Sequence, residues 1–453
     1  VSDYCLSVAS GLGLYSYRDE KNNVVIRKPA SKGYENAPGV IIQGHLDMVC
    51  EKDKKTEHDF LTEGIRLIVD GDWLRADGTT LGADDGIAVA IGLALLEDNS
   101  LEHPELECLF TTDEEVGMGG AQHFDASVLH GERLINIDSE DEGVFVVSCC
   151  GGAKAAIRIP AQWEAVPEGL VPVNIKIRGL LGGHSGSDIH LQRANANKLM
   201  ARIMRQTAKL FFYRLVSING GLMDNAITRE ADAVIMIAPE DIEELEDLCA
   251  QLESVFNTEY SASEDRIYVV AERSEQKYVK VLDEDCAGRI IYALNLIPYG
   301  VQRVSLEING LVESSNNIGI VKTNDEYIEL VSAVRSSLAT VKYDILERLS
   351  IIAELVNGQL IIKSQYPGWQ YKPDSPLRNI CVQAYKEMFG KEPRIEAIHA
   401  GLECGLLSSK APSLDIISIG PEMHDVHTPM ERISISSVER TWNFVRFVLS
   451  KLK

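Results

Sequence analysis

Gly39-Val40-Ile41-Ile42-Gln43-Gly44-His45-Leu46-Asp47 decides the fold. A short β-branched run closed by glycine, then by a histidine and an acid, reads as a buried strand whose C-terminal end carries chemistry. Four other segments also place metal-ligating side chains where an apolar run stops or a helix begins. They are Leu81-Gly82-Ala83-Asp84-Asp85-Gly86, Thr111-Thr112-Asp113-Glu114-Glu115, Leu134-Ile135-Asn136-Ile137-Asp138 and Met423-His424-Asp425-Val426-His427. Together they hold the parts of a two-zinc hydrolytic site with one acid left over as a general base.

Outward from this strand, β-rich runs at 23–27, 39–43, 106–111, 133–137 and 144–148 alternate with helical patterns at 86–97 and 121–124. That alternation predicts an α/β layer with much parallel sheet. The middle of the chain reads differently. Strands are expected at 171–178, 231–237, 305–309, 326–334 and 359–364, and helices at 193–210 and 340–356. Another helix opens at Pro239 and carries Ile242, Leu245, Leu248, Leu252, Val255 and Phe256 on one face. This is the pattern of an α+β sandwich, long enough to hold two related halves. After Pro367-Gly368-Trp369 the first style returns, with helices at 377–389, near Gly405 and at 438–452, and strands at 393–399 and 415–419. The expected organisation is one α/β catalytic domain, 1–151 and 364–453, interrupted by an inserted α+β domain, 152–363.

The 453 residues allow two or three domains. An apolar content of 45% and a charged content of 25% suit an ordinary soluble chain. The net charge of −24 sets nucleic acid aside as a main partner, because phosphates need a basic surface, and reads as solubility. No apolar run approaches the roughly 18 residues that cross a bilayer, so no membrane partner is expected. Nothing at the N-terminus reads as a signal peptide. The chain begins at Val1, and residues 2–12 have the pattern of a helix's later half, which leaves an upstream segment open. Nine cysteines without paired spacing imply reduced thiols and a cytoplasmic setting, with Cys149 and Cys150 as core thiols.

Within the candidate site, His45 and Asp47 are two apart and so share one face of a strand. Asp84 and Asp85 precede a helix, where aspartate also caps; one carboxylate can cap while the other bridges two metals. Glu114 and Glu115 are read as the end of a strand. There adjacent residues face opposite ways, so one acid ligates while the other reaches water. Either His424 or His427 could ligate. Each segment alone has a bland explanation, but their joint occurrence at strand ends does not.

These residues carry a resemblance. Gly44-His45-Leu46-Asp47-Met48-Val49, Thr79-Thr80-Leu81-Gly82-Ala83-Asp84, Asp113-Glu114-Glu115, Ile137-Asp138-Ser139-Glu140, Gly182-Gly183-His184-Ser185-Gly186 and Ile398-His399-Ala400-Gly401-Leu402-Glu403-Cys404-Gly405 resemble the bacterial aminoacyl-histidine dipeptidase (peptidase D) branch of the carnosinase-like dinuclear zinc peptidases. The similarity runs nearly end to end. It implies a zinc-exopeptidase-like α/β domain with a ferredoxin-like lid and dimerisation domain. It also implies two Zn2+ per subunit, with Mn2+ or Co2+ as substitutes. Asp84 would bridge them, with His45 and Asp138 on one side and Glu115 and His427 on the other. Asp47 would orient His45, and Glu114 would be the general base. His427 is preferred over His424 because His-Thr-Pro matches the family's His-Ser-Pro. Asp85 stands where the family commonly has Asn; its role and that of His424 stay open.

By the same resemblance, His184, Asn225 and Arg335 would grip substrate from the lid, Arg335 taking the C-terminal carboxylate. Glu403, with the backbone near Gly401, would meet the free amino group. A carboxylate clamp at one end and an acid at the other select dipeptides. The implied reaction is hydrolysis of Xaa-His and other dipeptides, including β-alanyl-histidine, by zinc-activated water with Glu114 taking the proton. A homodimer through the lid is implied, with His184 acting in its own or the partner's site. The alternatives are an N-acyl amino acid deacylase on the same scaffold and a non-catalytic metal- or peptide-binding protein.

Overall fold

A computed structural model describes residues 1–308 and 310–453. They form two compact units, one of Val1–Cys149, Trp369–Ala397 and Leu402–Lys453, the other of Cys150–Gly368 and Ile398–Gly401.

The first unit is built on a mixed sheet. Across it the strands run Tyr15–Arg18, Val24–Lys28, Leu106–Thr111, Val40–His45, Arg133–Asn136, Asp415–Ser418, Val144–Cys149 and Arg394–Ile398. The four from Leu106–Thr111 to Asp415–Ser418 are parallel. Tyr15–Arg18 with Val24–Lys28, Val24–Lys28 with Leu106–Thr111, and Asp415–Ser418 with Val144–Cys149 are antiparallel pairs. Val40, Ile41 and Ile42 are fully buried, because a parallel strand covered on both faces needs a continuous apolar run rather than an alternating one. The next central strand in the chain, Leu106–Thr111, lies on one side of Val40–His45, and the following one, Arg133–Asn136, lies on the other. The strand order therefore reverses at Val40–His45. In open α/β sheets such a reversal opens a crevice at the carboxyl ends of the strands.

Helix Ala83–Glu97 packs Ala88, Ile91, Leu95 and Leu96 into the core formed with Val40, Ile42, Cys108 and Phe110. Gly44 permits this: a Cβ there would stand 2.3 Å from Ala88 Cβ and 2.5 Å from Asp85 Oδ2. The close approach brings Asp84 and Asp85, both in non-helical conformation, to the end of the Val40–His45 strand.

The second unit has a larger antiparallel sheet. Its strands run Tyr268–Arg273, Val171–Arg178, Ala231–Ile237, Tyr213–Gly220, Val312–Thr323, Tyr327–Ser336, Gly151–Pro160 and Gln359–Tyr366, with Gly300–Val304 beside Val312–Thr323. A single register pair, Gly220 with Val321, joins the fourth strand to the fifth, so the sheet divides into one part of four strands and one of five that includes Gly300–Val304. Helices Ala196–Leu210, Ile242–Glu259, Glu284–Leu296 and Ala339–Leu355 share one core with the sheet. The fold class is thus the expected one, an α/β layer with an α+β insertion.

Three local expectations need correction. Residues 305–308 are not a strand, and Asn309 lies outside the described residues. The Ser305 hydroxyl accepts from the N–H groups of Glu307 (3.2 Å) and Ile308 (3.1 Å), a side-chain turn that competes with extended pairing. Val255 is 41% exposed, whereas Leu245, Cys249 and Phe256 form the buried stripe of their helix; one residue from Phe256, Val255 is rotated about 100° off that stripe. Glu114 and Glu115 lie in a turn beyond the strand that ends at Thr111, so strand alternation does not govern them. No helix among the described residues is long and apolar enough to cross a membrane, and none of the nine cysteines is in a disulfide.

Candidate active site

In the first unit, the segments met separately in the sequence converge. His45 ends its strand with 1% exposure. Its Nε2 lies 3.1 Å from Asp84 Oδ1 and 3.8 Å from Asp138 Oδ1. On the other side of Asp84, Oδ2 lies 3.2 Å from His427 Nε2, which is also 3.0 Å from Glu115 Oε2. Two groups result, His45–Asp84–Asp138 and Asp84–Glu115–His427, each with one ligand atom per residue within 4.8 Å of the others. They share Asp84, and each carboxylate oxygen of Asp84 faces a different imidazole.

The electrostatics follow from that crowding. Burial works against a charged His45, but hydrogen bonding from Asp47 and Asp84 wins and its pKa rises. Donation to the Asp84 and Glu115 carboxylates raises His427 to about 10. Burial, with Asp85 adding repulsion, pushes the Asp138 carboxyl up. Burial also opposes ionisation of Asp84, yet its bonds to His427 and His45 hold its carboxyl low. Imidazoles and carboxylates packed in two triads about a shared acid suit a pair of divalent cations, and Glu115 Oε1 is buried without a hydrogen-bond partner in this cage. The donor set therefore fits two such ions.

Glu114 belongs to neither triad. Burial is the main cause that lifts its carboxyl to about 7; His45 opposes this, while Glu115, Asp84 and Asp47 reinforce it. Asp47 faces His45, the partner expected, and has two further ones. His45 Nδ1 lies 3.0 Å from the Asp47 main-chain oxygen and 3.6 Å from its carboxylate. The carboxylate also accepts from the backbone N–H groups of Glu114 and Glu115, both at 3.1 Å.

Asp85 is outside both triads. It is fully buried and accepts the His45 N–H at 3.1 Å. His424 is also outside them, 3.3 Å from Glu422 Oε1 and with its ring over Trp73. Glu403 is fully buried; its Oε2 accepts from Thr111 (2.5 Å) and Gln43 (2.7 Å), and its Oε1 has no hydrogen-bond partner. Burial lifts its carboxyl to about 8.

The other expected residues lie in the second unit. The Gly183–His184 strand pairs with Ala226–Ile227, and Ser185 N–H donates to Asn225 O at 2.7 Å, so the His184 and Asn225 segments are neighbours. Arg335 is 9% exposed, with Nη1 3.3 Å from the Tyr366 hydroxyl and Nε unpartnered. Among the described residues no carboxylate is recorded in an ion pair with it; Asp224, which acts on it from farther off, pairs with Lys154. Gly401 sits in the Ile398–Gly401 stretch beside His399. His399 Nε2 is 2.7 Å from Ser315 Oγ, and burial, helped by Arg335, pushes its ring down to about 3.

Sequence reading missed two buried supports. Gln43, Thr111 and Asn136 lie on the three strands that deliver His45, Glu114–Glu115 and Asp138. Asn136 donates to Gln43 at 2.6 Å, and Gln43 donates to Glu403. A polar residue inside an apolar strand was the available signal. The other is Glu431, 2% exposed, whose carboxylate accepts backbone N–H groups from Leu81 (2.7 Å), Gly82 (3.1 Å), Ala83 (2.8 Å) and Asp84 (3.3 Å). No periodicity announces it.

Known proteins share this arrangement of sequence and fold. Residues 41–451 match the model of peptidase family M20/M25/M40. The chain is 36% identical over 452 residues to the cytosol non-specific dipeptidase of Escherichia coli K12, covering 100% of this chain and 93% of that protein. The aminoacylhistidine dipeptidase structure from Vibrio alginolyticus superposes with a TM-score of 0.94 at 37% identity, covering 100% of this chain and 92% of that one. The aminopeptidase PepT of Bacillus cereus, at 13% identity and a TM-score of 0.55, shares the fold. With its ligand-bearing strands inside the matched span, this chain belongs to peptidase family M20/M25/M40.

Proposed function

We propose that this chain is a metal-dependent dipeptidase that hydrolyses Xaa-His and other dipeptides, β-alanyl-histidine among them. The observation that carries the reading is the pair of triads sharing Asp84, with Glu114 outside both. His45, Asp84 and Asp138 would hold one divalent cation, and Asp84, Glu115 and His427 the other; zinc is the reading for both, with manganese or cobalt able to replace it. When bound, the ions supply Lewis acidity towards water and the scissile carbonyl. Glu114 is the base: its carboxylate takes the proton from the attacking water and passes it to the leaving amine. Asp47 sets the turn that presents Glu114 and Glu115.

Arg335, a buried cation whose Nε has no hydrogen-bond partner, takes the C-terminal carboxylate of the dipeptide. His184 and Asn225 assist from the same unit. Glu403, with Gly401 nearby in the chain, meets the free amino group through its unpartnered oxygen. The second unit acts as a lid and as the surface of a homodimer, and the protein works in the cytoplasm. The test is a dipeptide panel with metal analysis of the same preparation. Cleavage of Xaa-His that is lost with a chelator and in Glu114→Gln supports the reading. Cleavage of N-acyl amino acids in preference to free dipeptides would overturn it, as would dipeptide binding without cleavage.

A further inference from the structure

Asp84 must hold its two carboxylate oxygens towards two imidazoles, yet it sits in a stretch that is not helical. Gly82 has φ 71°, and Asp84 and Asp85 depart from helical angles. The N–H groups of such a segment have no helical acceptors, although Gly82 O accepts from Gly86 N–H at 3.1 Å, and they need others in a buried place. Leu81, Ala83 and Asp85 are buried.

Glu431 supplies those acceptors. One oxygen takes Leu81 and Gly82, and the other takes Ala83 and Asp84. Glu431 is also four residues beyond His427, and its own N–H donates to Thr428 O at 3.0 Å. Thr428 Oγ1 in turn donates to Asp425 O at 2.7 Å, closing the loop that carries His427. A single buried carboxylate therefore joins the segment that carries the shared acid to the one that carries the exposed imidazole.

We infer that Glu431 is a positioning residue for the metal centre: by clamping the backbone of 81–84 to the His427 loop, it presets the distance between Asp84 and His427 and so raises affinity for the cation those two share with Glu115. This rests on the reading of the triads as metal sites. The clamp touches no substrate and no ion itself. Its replacement by glutamine keeps the shape but turns one acceptor into a donor facing two N–H groups. Aspartate keeps the charge on a shorter arm.

The full-length protein, stripped with a chelator, is titrated with zinc chloride against a chromophoric competitor, for the wild type, Glu431→Gln and Glu431→Asp. We expect two equivalents in the wild type. In Glu431→Gln the dissociation constant of one equivalent rises at least tenfold, with Glu431→Asp in between, while the far-UV spectrum of the metal-free variant stays that of the wild type. Zinc affinity within twofold of wild type in a folded Glu431→Gln overturns the inference, because a purely structural residue would lower the melting temperature and leave the isotherm in place. If neither variant folds, hydrogen exchange on the metal-free wild type decides. Slow exchange at the amides of 81–84 supports the clamp, and exchange at solvent rates overturns it. A wild type that binds zinc tightly but cleaves no dipeptide sinks the proposed activity and leaves this inference standing.

Discussion

The Asp47 carboxylate spans the Glu114–Glu115 turn, one oxygen on each backbone N–H at 3.1 Å. A side chain two residues beyond His45 thus sets the position of the acid outside the triads and of its neighbour inside one. Asp47→Ala leaves two N–H groups without their acceptor and frees the turn. We expect kcat to fall about 10- to 100-fold, the usual cost of removing a supporting partner of a metal site, with zinc content reduced by less than half. A variant with wild-type kcat would show that the turn holds itself.

Glu114→Gln removes the base and keeps the volume. The expected loss in kcat is about 100- to 10,000-fold, with KM and bound zinc close to wild type. Loss of metal in step with activity would move Glu114 into the ligand set.

Arg335→Met should raise KM for dipeptides about 10- to 100-fold, the worth of a charge-assisted bond, and leave KM for C-terminally amidated dipeptides within about twofold. Equal effects on both substrates would deny that Arg335 reads the carboxylate.

Glu403→Gln preserves the bonds to Thr111 and Gln43 in shape but removes a carboxyl that, lifted to about 8 by burial, ionises against a bound ammonium. KM should rise about tenfold for substrates with a free amino group, in line with the loss of a hydrogen bond to a charged group. An unchanged KM with a lower melting temperature would assign Glu403 to the buried network alone.

His399 gives a pH dependence. Its pKa is pushed down to about 3 by burial, below the ordinary histidine value of about 6.5 in the unfolded chain. Between those values the unfolded state binds the extra proton, so stability is full above about pH 6.5 and is lost as pH falls towards 3. At pH 4.5 the loss is about 2–3 kcal/mol from this group. His399→Gln should flatten the melting temperature between pH 7 and 4.5; the same slope in both proteins would acquit His399.

The central strands of the first unit were legible because each carries its own apolar run: 106–111 matches to the residue and Val40–His45 differs only at its ends, whereas Tyr15–Arg18, without such a run, was not expected. The types of site residue were legible for the same reason, standing where such runs stop. A strand was misplaced at 305–308 because one serine hydroxyl outbid a weak pattern. Two halves were foreseen in the insertion, but not where they join, because register across strands leaves no mark in a single stretch of chain.

Sequence by itself determined the α/β layer, the insertion and the stock of imidazoles and carboxylates, since burial patterns and side-chain chemistry are local properties. Only the tertiary structure decided which oxygen meets which nitrogen. Asp84 and His427 are 343 residues apart, Glu431 and Asp84 are 347 apart, and Glu403 and Gln43 are 360 apart. Contacts at such separations are set by packing of the whole core. Asp85 turned inward to the His45 N–H, Asp47 to a turn and Glu431 to a backbone because each found there a buried polar group that would otherwise have had no partner.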